Sequence, residues 1–165
     1  MNFIKHLCGQ NLFNRLLLLI TRLSFPRFPE AFVRLAAKLS SLRPDTRFIW
    51  IGDGELGQDI RRLIQENGLE GRVELTGWLR HEEALSRLSK ADIFIHYSRW
   101  EGLPNAVLEA MAHGLPVVAS DIPGNRDAVG DAGLLVKSEV ELLEACQRLI
   151  AEPAERRHLG EAGRE

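Results

Sequence analysis

Six short apolar runs, each four to six residues long, recur along the chain at Leu16–Thr21, Arg47–Ile51, Arg72–Thr76, Asp92–Tyr97, Pro116–Ser120 and Gly133–Val136. Their length and β-branched or aromatic content predict strands. Between them, apolar residues repeat at intervals of three and four, which predicts amphipathic helices over Glu30–Leu42, Glu55–Asn67, Glu82–Ser89, Pro104–His113 and Glu139–Ile150. Punctuation supports these boundaries. Pro29 can open the first helix, Pro104 suits a first helical position, and Gly68 and Gly114 suit C-terminal caps. Strand and helix alternating in this way predict an α/β domain with a parallel sheet covered on both faces. LLLLI and DIFIHY, apolar nearly throughout, read as strands buried on both sides.

In a parallel sheet of this kind ligands bind at the carboxyl ends of the strands. The unusual residues fall there: Thr21, Arg22 and Arg27 after the first strand, Gly52–Gly54 after the second, Gly77 and Trp78 after the third, Ser98–Pro104 after the fourth, and Ser120–Arg126 after the fifth. Five turns therefore converge on one edge.

Composition adds boundaries rather than detail. With 45% hydrophobic and 27% charged residues, 165 residues make one soluble globular domain, with residues 1–15 as an N-terminal extension. The formal charge of -2 gives no whole-molecule attraction to nucleic acid or anionic membrane, so an anionic ligand needs a local site. Cys8 and Cys146 lie far apart without metal spacing, which fits a reducing compartment and two ordinary thiols. Leu16–Ile20, flanked by Arg15 and Arg22, is too short for a membrane span or a signal peptide, and the expected location is the cytoplasm. No metal-ligand cluster, Walker loop or Ser, His and Asp set is legible, so no metal site is expected.

Two stretches carry candidate chemistry. The first, IGDGELG at 51–57, has the glycine spacing of a dinucleotide fingerprint after a strand and before a helix. Asp53 and Glu55 put carboxylates where a pyrophosphate needs to sit, and the nearest ribose-binding acid, Glu74, lies inside its strand rather than at its end. The second is SRWEGLPNAVLEAMAHGLPVVASDIPGN, residues 98–125. Here Gly102 admits close backbone approach, and the start of the following helix offers orphan N–H donors and a favourable dipole to a phosphate. Glu101 at the loop mouth and Glu109 on the helix can address different hydroxyls of one bound molecule. A nucleotide joined to a sugar satisfies both halves of that arrangement. His96, closing a buried strand, and His113, at a helix end, read as structural imidazoles.

This segment resembles the E-x7-E region of the retaining group 1 (family 4) glycosyltransferases, carried by EGLPN and EAMAHGLPVVAS and continued by PGNRDAVGDAGLLV. RLSFPR resembles the family's segment supplying two cations to the diphosphate, and FIWIGDGEL its glycine turn on the second strand. The resemblance covers roughly residues 16–165 and implies a Rossmann-like three-layer domain, the C-terminal, donor-binding half of a GT-B fold. It further implies that Arg22 and Arg27 clamp the diphosphate and that the amides of Gly102, Leu103, Pro104 and Asn105 form the cradle for the β-phosphate and sugar. Glu101 would bind hydroxyls of the donor sugar, Glu109 the ribose, Gly52 and Gly54 would lie beside the donor, and Trp78 and Leu79 would border the base.

The implied activity is retaining transfer of a hexosyl-type sugar from a nucleoside diphosphate, the sugar nucleotide being substrate and no cofactor being needed. Two departures bear on this. Arg27 is followed by Phe28 where the family usually has lysine followed by glycine, and Asp127 stands where glutamate is common. The family's N-terminal acceptor domain is not among these 165 residues, so an acceptor half supplied elsewhere is the implied partner. A non-catalytic sugar-nucleotide binding module and a nicotinamide-binding domain remain as alternatives.

Overall fold

In the computed structural model, residues 16–20 and 29–165 are described, with Leu17 the only β1 side chain among them. Arg22, Arg27 and Phe28, and with them the expected diphosphate clamp, lie outside the described residues. The strands are β1 (Leu16–Ile20), β2 (Arg47–Ile51), β3 (Val73–Leu75), β4 (Ile93–His96), β5 (Val117–Ser120) and β6 (Gly133–Val136). The helices are α1 (Pro29–Leu42), α2 (Gly57–Glu66), α3 (His81–Leu88), α4 (Asn105–Ala112), α5 (Pro123–Val129), α6 (Glu139–Ala151) and α7 (Pro153–Ala162).

The strands form one sheet in the order β3-β2-β1-β4-β5-β6, every pair parallel. This is the doubly wound arrangement, whose ligand crevice lies where the order reverses, between the carboxyl ends of β1 and β4. Strand alternation divides the core in two. Phe48, Trp50, Ile93, Ile95 and Val118 face α1, α2 and α6, whereas Ile49, Ile51, Phe94, Val117 and Ala119 face α3, α4 and α5. On the first side the Phe32 ring meets Trp50 and Phe48 edge-on, with centroids 5.2 and 6.0 Å apart. Such pairs add about 0.5–1.5 kcal/mol each beyond their burial.

Helix ends follow the chemistry of the turn residues. Gly68 and Gly114 have φ of 63° and 71° and close two Schellman motifs, in which Leu69 N–H reaches Ile64 O and Leu115 N–H reaches Ala110 O. Both lie where the sequence pattern placed C-terminal caps. Pro29 is the first residue of α1, also as expected.

Three details differ from expectation. Helix α2 begins at Gly57 rather than Glu55, because Gly57 N–H bonds Gly54 O and residues 54–57 are spent on the turn. Pro104 (φ −82°, ψ 81°) caps α4 instead of starting it. Helices α5 and α7 both begin at a proline and stand where no helix was expected.

Candidate functional site

Because all six strands are parallel, the turns singled out above after β2, β3, β4 and β5 share one edge of the sheet. The loop from β4 into α4 is the centre of that edge. Glu101 sits at its mouth with a side chain only 9% exposed, and His96 Nε2 lies 3.2 Å from Glu101 Oε1. Glu109, further along on α4, is more open at 35% exposure and lies 3.9 Å from His81 Nδ1 at the start of α3. The two glutamates thus stand at different depths beside one helix start. His113 behaves as a helix-end imidazole, its Nδ1 2.8 Å from Glu109 O.

Main-chain accounting sharpens the cradle. Asn105 N–H donates to Leu103 O at 3.0 Å, and Val107 and Leu108 N–H both bond Pro104 O. Pro104 itself has no N–H to offer. Among the described residues, no turn or cap bond uses the amides of Gly102 and Leu103. A Cβ at Gly102 would meet no atom of the described residues within 4 Å. Trp100 and Leu103 flank Glu101 and Gly102 and are 70% and 68% exposed. Sequence reasoning passed over Trp100; an aromatic residue next to the loop-mouth acid was the available signal.

The loop is held from behind by a buried polar network. Ser120 Oγ donates to Ser98 O and accepts from Ser98 N–H, while Asn125 Nδ2 donates to Ser120 O at 2.9 Å and Oγ at 3.1 Å. Asn125 is fully buried. The β5–α5 turn is thereby tied to the β4–α4 loop, and Gly124 packs against it so closely that a Cβ there would lie 2.1 Å from Gly102 O. Nearby, Arg126 pairs with Asp121 and, together with Lys137 at 3.7 Å, holds its carboxyl below the usual carboxylate range.

The glycine turn after β2 is self-contained. Gly52 N–H bonds Gly77 O at 2.9 Å across to the β3 loop, and Gly54 N–H donates to Asp53 Oδ1 at 2.8 Å. The Asp53 carboxylate therefore sits where a dinucleotide site presents its nest to a pyrophosphate. Glu74 pairs instead with Arg87, at 3.1–3.2 Å. The turn also follows β2, whereas the dinucleotide fingerprint follows the central strand at the switch point, here β1. These observations argue against a nicotinamide site. Trp78, in the turn beyond Gly77, is 70% exposed, and Leu79 is half-buried against the α3–α5 side of the core. A cavity of about 440 Å³ beside β6 is lined by Leu134, Val136, Glu141 and Arg148 and by none of these residues.

A model of the family described as glycosyl transferases group 1 matches residues 15–152. The chain belongs to the group 1 glycosyltransferases. Among its relatives, an alpha-D-kanosaminyltransferase of Streptomyces kanamyceticus is 31% identical over 150 residues, which is 88% of this chain and 39% of that enzyme. A UDP-Gal:alpha-D-GlcNAc-diphosphoundecaprenol alpha-1,3-galactosyltransferase of Escherichia coli is 38% identical over 103 residues, 62% of this chain and 24% of its own length. The chain therefore spans well under half the length of these relatives. In fold it superposes on a point mutant of S. aureus TarM, solved with fondaparinux, alpha-GlcNAc-glycerol and UDP. That match has a TM-score of 0.85 at 22% identity and covers 99% of this chain and 34% of TarM. The Rossmann-like α/β half-domain of the GT-B fold is thus the architecture of this group 1 chain.

Proposed function

We propose that this chain is the donor-binding half of a retaining glycosyltransferase, holding a nucleoside-diphosphate sugar for transfer to an acceptor bound by a second domain or polypeptide. The observation that carries this reading is the placement of Glu101 and Glu109 on either side of the α4 start, with the Gly102 and Leu103 amides outside the turn and cap bonds, next to the switch point of the sheet. Amides facing a phosphate and carboxylates facing hydroxyls at two depths match the two halves of a sugar nucleotide.

In this reading Arg22 and Arg27 stabilise the departing diphosphate electrostatically, Glu101 accepts hydrogen bonds from the transferred sugar, and Glu109 accepts them from the ribose. Trp78 and Leu79 border the base, and Gly52 and Gly54 let the chain pass close to the donor. Retention follows if the acceptor hydroxyl attacks from the face the diphosphate leaves. Positioning that hydroxyl is the acceptor half's contribution.

The second reading, a sugar-nucleotide binding module without catalysis, draws on the same site. Calorimetric titration with UDP, GDP, ADP, their sugar conjugates and NAD tests the shared claim. One nucleoside diphosphate is expected to bind, NAD is not, and Glu109→Ala is expected to weaken binding roughly 10–100-fold, the range for hydrogen bonds to a charged group. Binding of NAD in preference, or no effect of Glu109→Ala, contradicts the assignment. Sugar transfer in the presence of a supplied acceptor half then separates the enzyme from the module.

A further inference from the structure

We infer that His96 is a positioning residue for the Glu101 carboxylate, fixing the rotamer from which Glu101 engages the donor sugar; this rests on the donor-domain reading above. His96 ends β4 with a side chain 4% exposed, and its ring stacks parallel to Phe94, the planes 9° apart. Its Nε2 lies 3.2 Å from Glu101 Oε1, yet neither ring nitrogen makes a well-directed hydrogen bond among the described residues. Contacts of this kind are often misaligned before substrate binds and tighten in the complex.

Packing alone is a poor reason for an imidazole here. A buried polar ring without directed partners costs stability that an apolar side chain of similar size would not. The Glu101 main chain is already pinned by Gly124, whose Cβ, if present, would lie 2.6 Å from Glu101 O. The His96 contact reaches the carboxylate itself, which is only 9% exposed, and a side chain ordered in advance spares the donor the entropy of fixing it. A residue that weakens the core while reaching the site's buried acid fits a functional constraint rather than a structural one.

The test compares His96→Leu, His96→Gln and Glu101→Gln in the full chain, titrated with UDP, GDP and ADP and with UDP-glucose, GDP-mannose and ADP-glucose. His96→Leu is expected to abolish the extra affinity contributed by the sugar, about tenfold, while binding of the bare nucleotide stays within about twofold. His96→Gln, which keeps an N–H donor at similar reach, is expected to restore most of it, and His96→Leu is expected to melt no lower than the parent. Adding His96→Leu to Glu101→Gln is expected to change nothing further. The inference is overturned if His96→Leu weakens nucleotide and sugar nucleotide alike, if it lowers the melting temperature and both affinities together, or if it has no effect on binding. Failure of the donor reading looks different: the parent chain itself binds no nucleotide, and this inference goes with it.

Discussion

The close approach of Gly124 to the Glu101 loop makes Gly124→Ala the most informative single perturbation. An alanine Cβ at this position would lie 2.1 Å from Gly102 O, 2.6 Å from Glu101 O and 3.1 Å from the Glu101 carbonyl carbon. All three are main-chain atoms, so no side chain can swing aside. Relief needs the two segments to part by more than about 1 Å to reach normal van der Waals separation. Helix α5 resists retreat because Asn125 and Ser120 bind it to Ser98, so the Glu101 loop must move.

Overpacking of this kind costs about 1–3 kcal/mol. Replacing glycine by alanine returns up to about 1 kcal/mol through the unfolded chain and helix propensity. The steric term wins because the opposing atoms are backbone. Urea denaturation is expected to show a net loss of about 1–2 kcal/mol at unchanged slope. Displacing the loop by about an ångström is expected to weaken sugar-nucleotide binding by about 10–100-fold, the loss of a hydrogen bond to the Glu101 carboxylate. A Gly124→Ala chain with parental stability and affinity would refute the claim that this contact sets the position of Glu101.

Asn125→Ala is expected to cost about 1–3 kcal/mol by the same denaturation assay, since it strips the buried Ser120 carbonyl and hydroxyl of a donor. Arg34 reaches across from α1 to Glu139 on α6 through two bonds of 2.9 and 2.7 Å, and the Arg34 hydrogen bond holds the Glu139 carboxyl below its usual range. A depressed carboxylate contributes stability above its unfolded pKa of about 4.3 and loses it as pH falls through the folded value. Glu139→Gln is therefore expected to lower stability at pH 7 by under about 1 kcal/mol, the pair being solvent-screened, and to converge on the parent as pH falls through the depressed folded value. Cys146 is fully buried in α6, and burial pushes its thiol well above the ordinary range. In a Cys8→Ser background a thiol reagent is expected to label Cys146 only after urea unfolds the chain, and rapid native labelling would contradict the core packing.

The sheet was readable because β2, β4 and β5 are buried on both faces, so that runs such as FIWI and IFIH stand out without any alternation to interpret. Helix α5 was not. PGNRDAV carries a helix-breaking pair, and Gly124 and Asn125 are there for close packing and for the Ser120 network, which are tertiary reasons that local propensity does not reveal. Helix α7 was hidden by Gly160, which lets the helix pack onto the Gly114 carbonyl, where a Cβ would come within 2.1 Å. Glu101 and Glu109 were singled out from their spacing and surroundings, and the structure places them at two depths beside the start of α4. The nearness of His96 to Glu101 was not legible, because it depends on the β4–α4 loop doubling back over the end of its own strand. The glycine turn showed the opposite difficulty: its spacing imitates a dinucleotide fingerprint, and the bond from Gly54 to Asp53 and the position of β2 in the sheet add to the misplaced acids in separating the two.

The central claim is that a nucleoside diphosphate sugar lies along the carboxyl edge of the sheet across the start of α4. Mapping amide chemical-shift changes on a ¹⁵N-labelled chain during titration with UDP, GDP and ADP tests it most directly. The account predicts that the nucleotide that binds perturbs Gly52–Gly54, Trp78, Leu79, Gly102, Leu103, Asn105 and Glu109, and leaves Asp45, Thr46, Glu70 and Gly71 at the opposite edge unmoved. Perturbations confined to that opposite edge, or to the β6 cavity around Glu141 and Arg148, would contradict it.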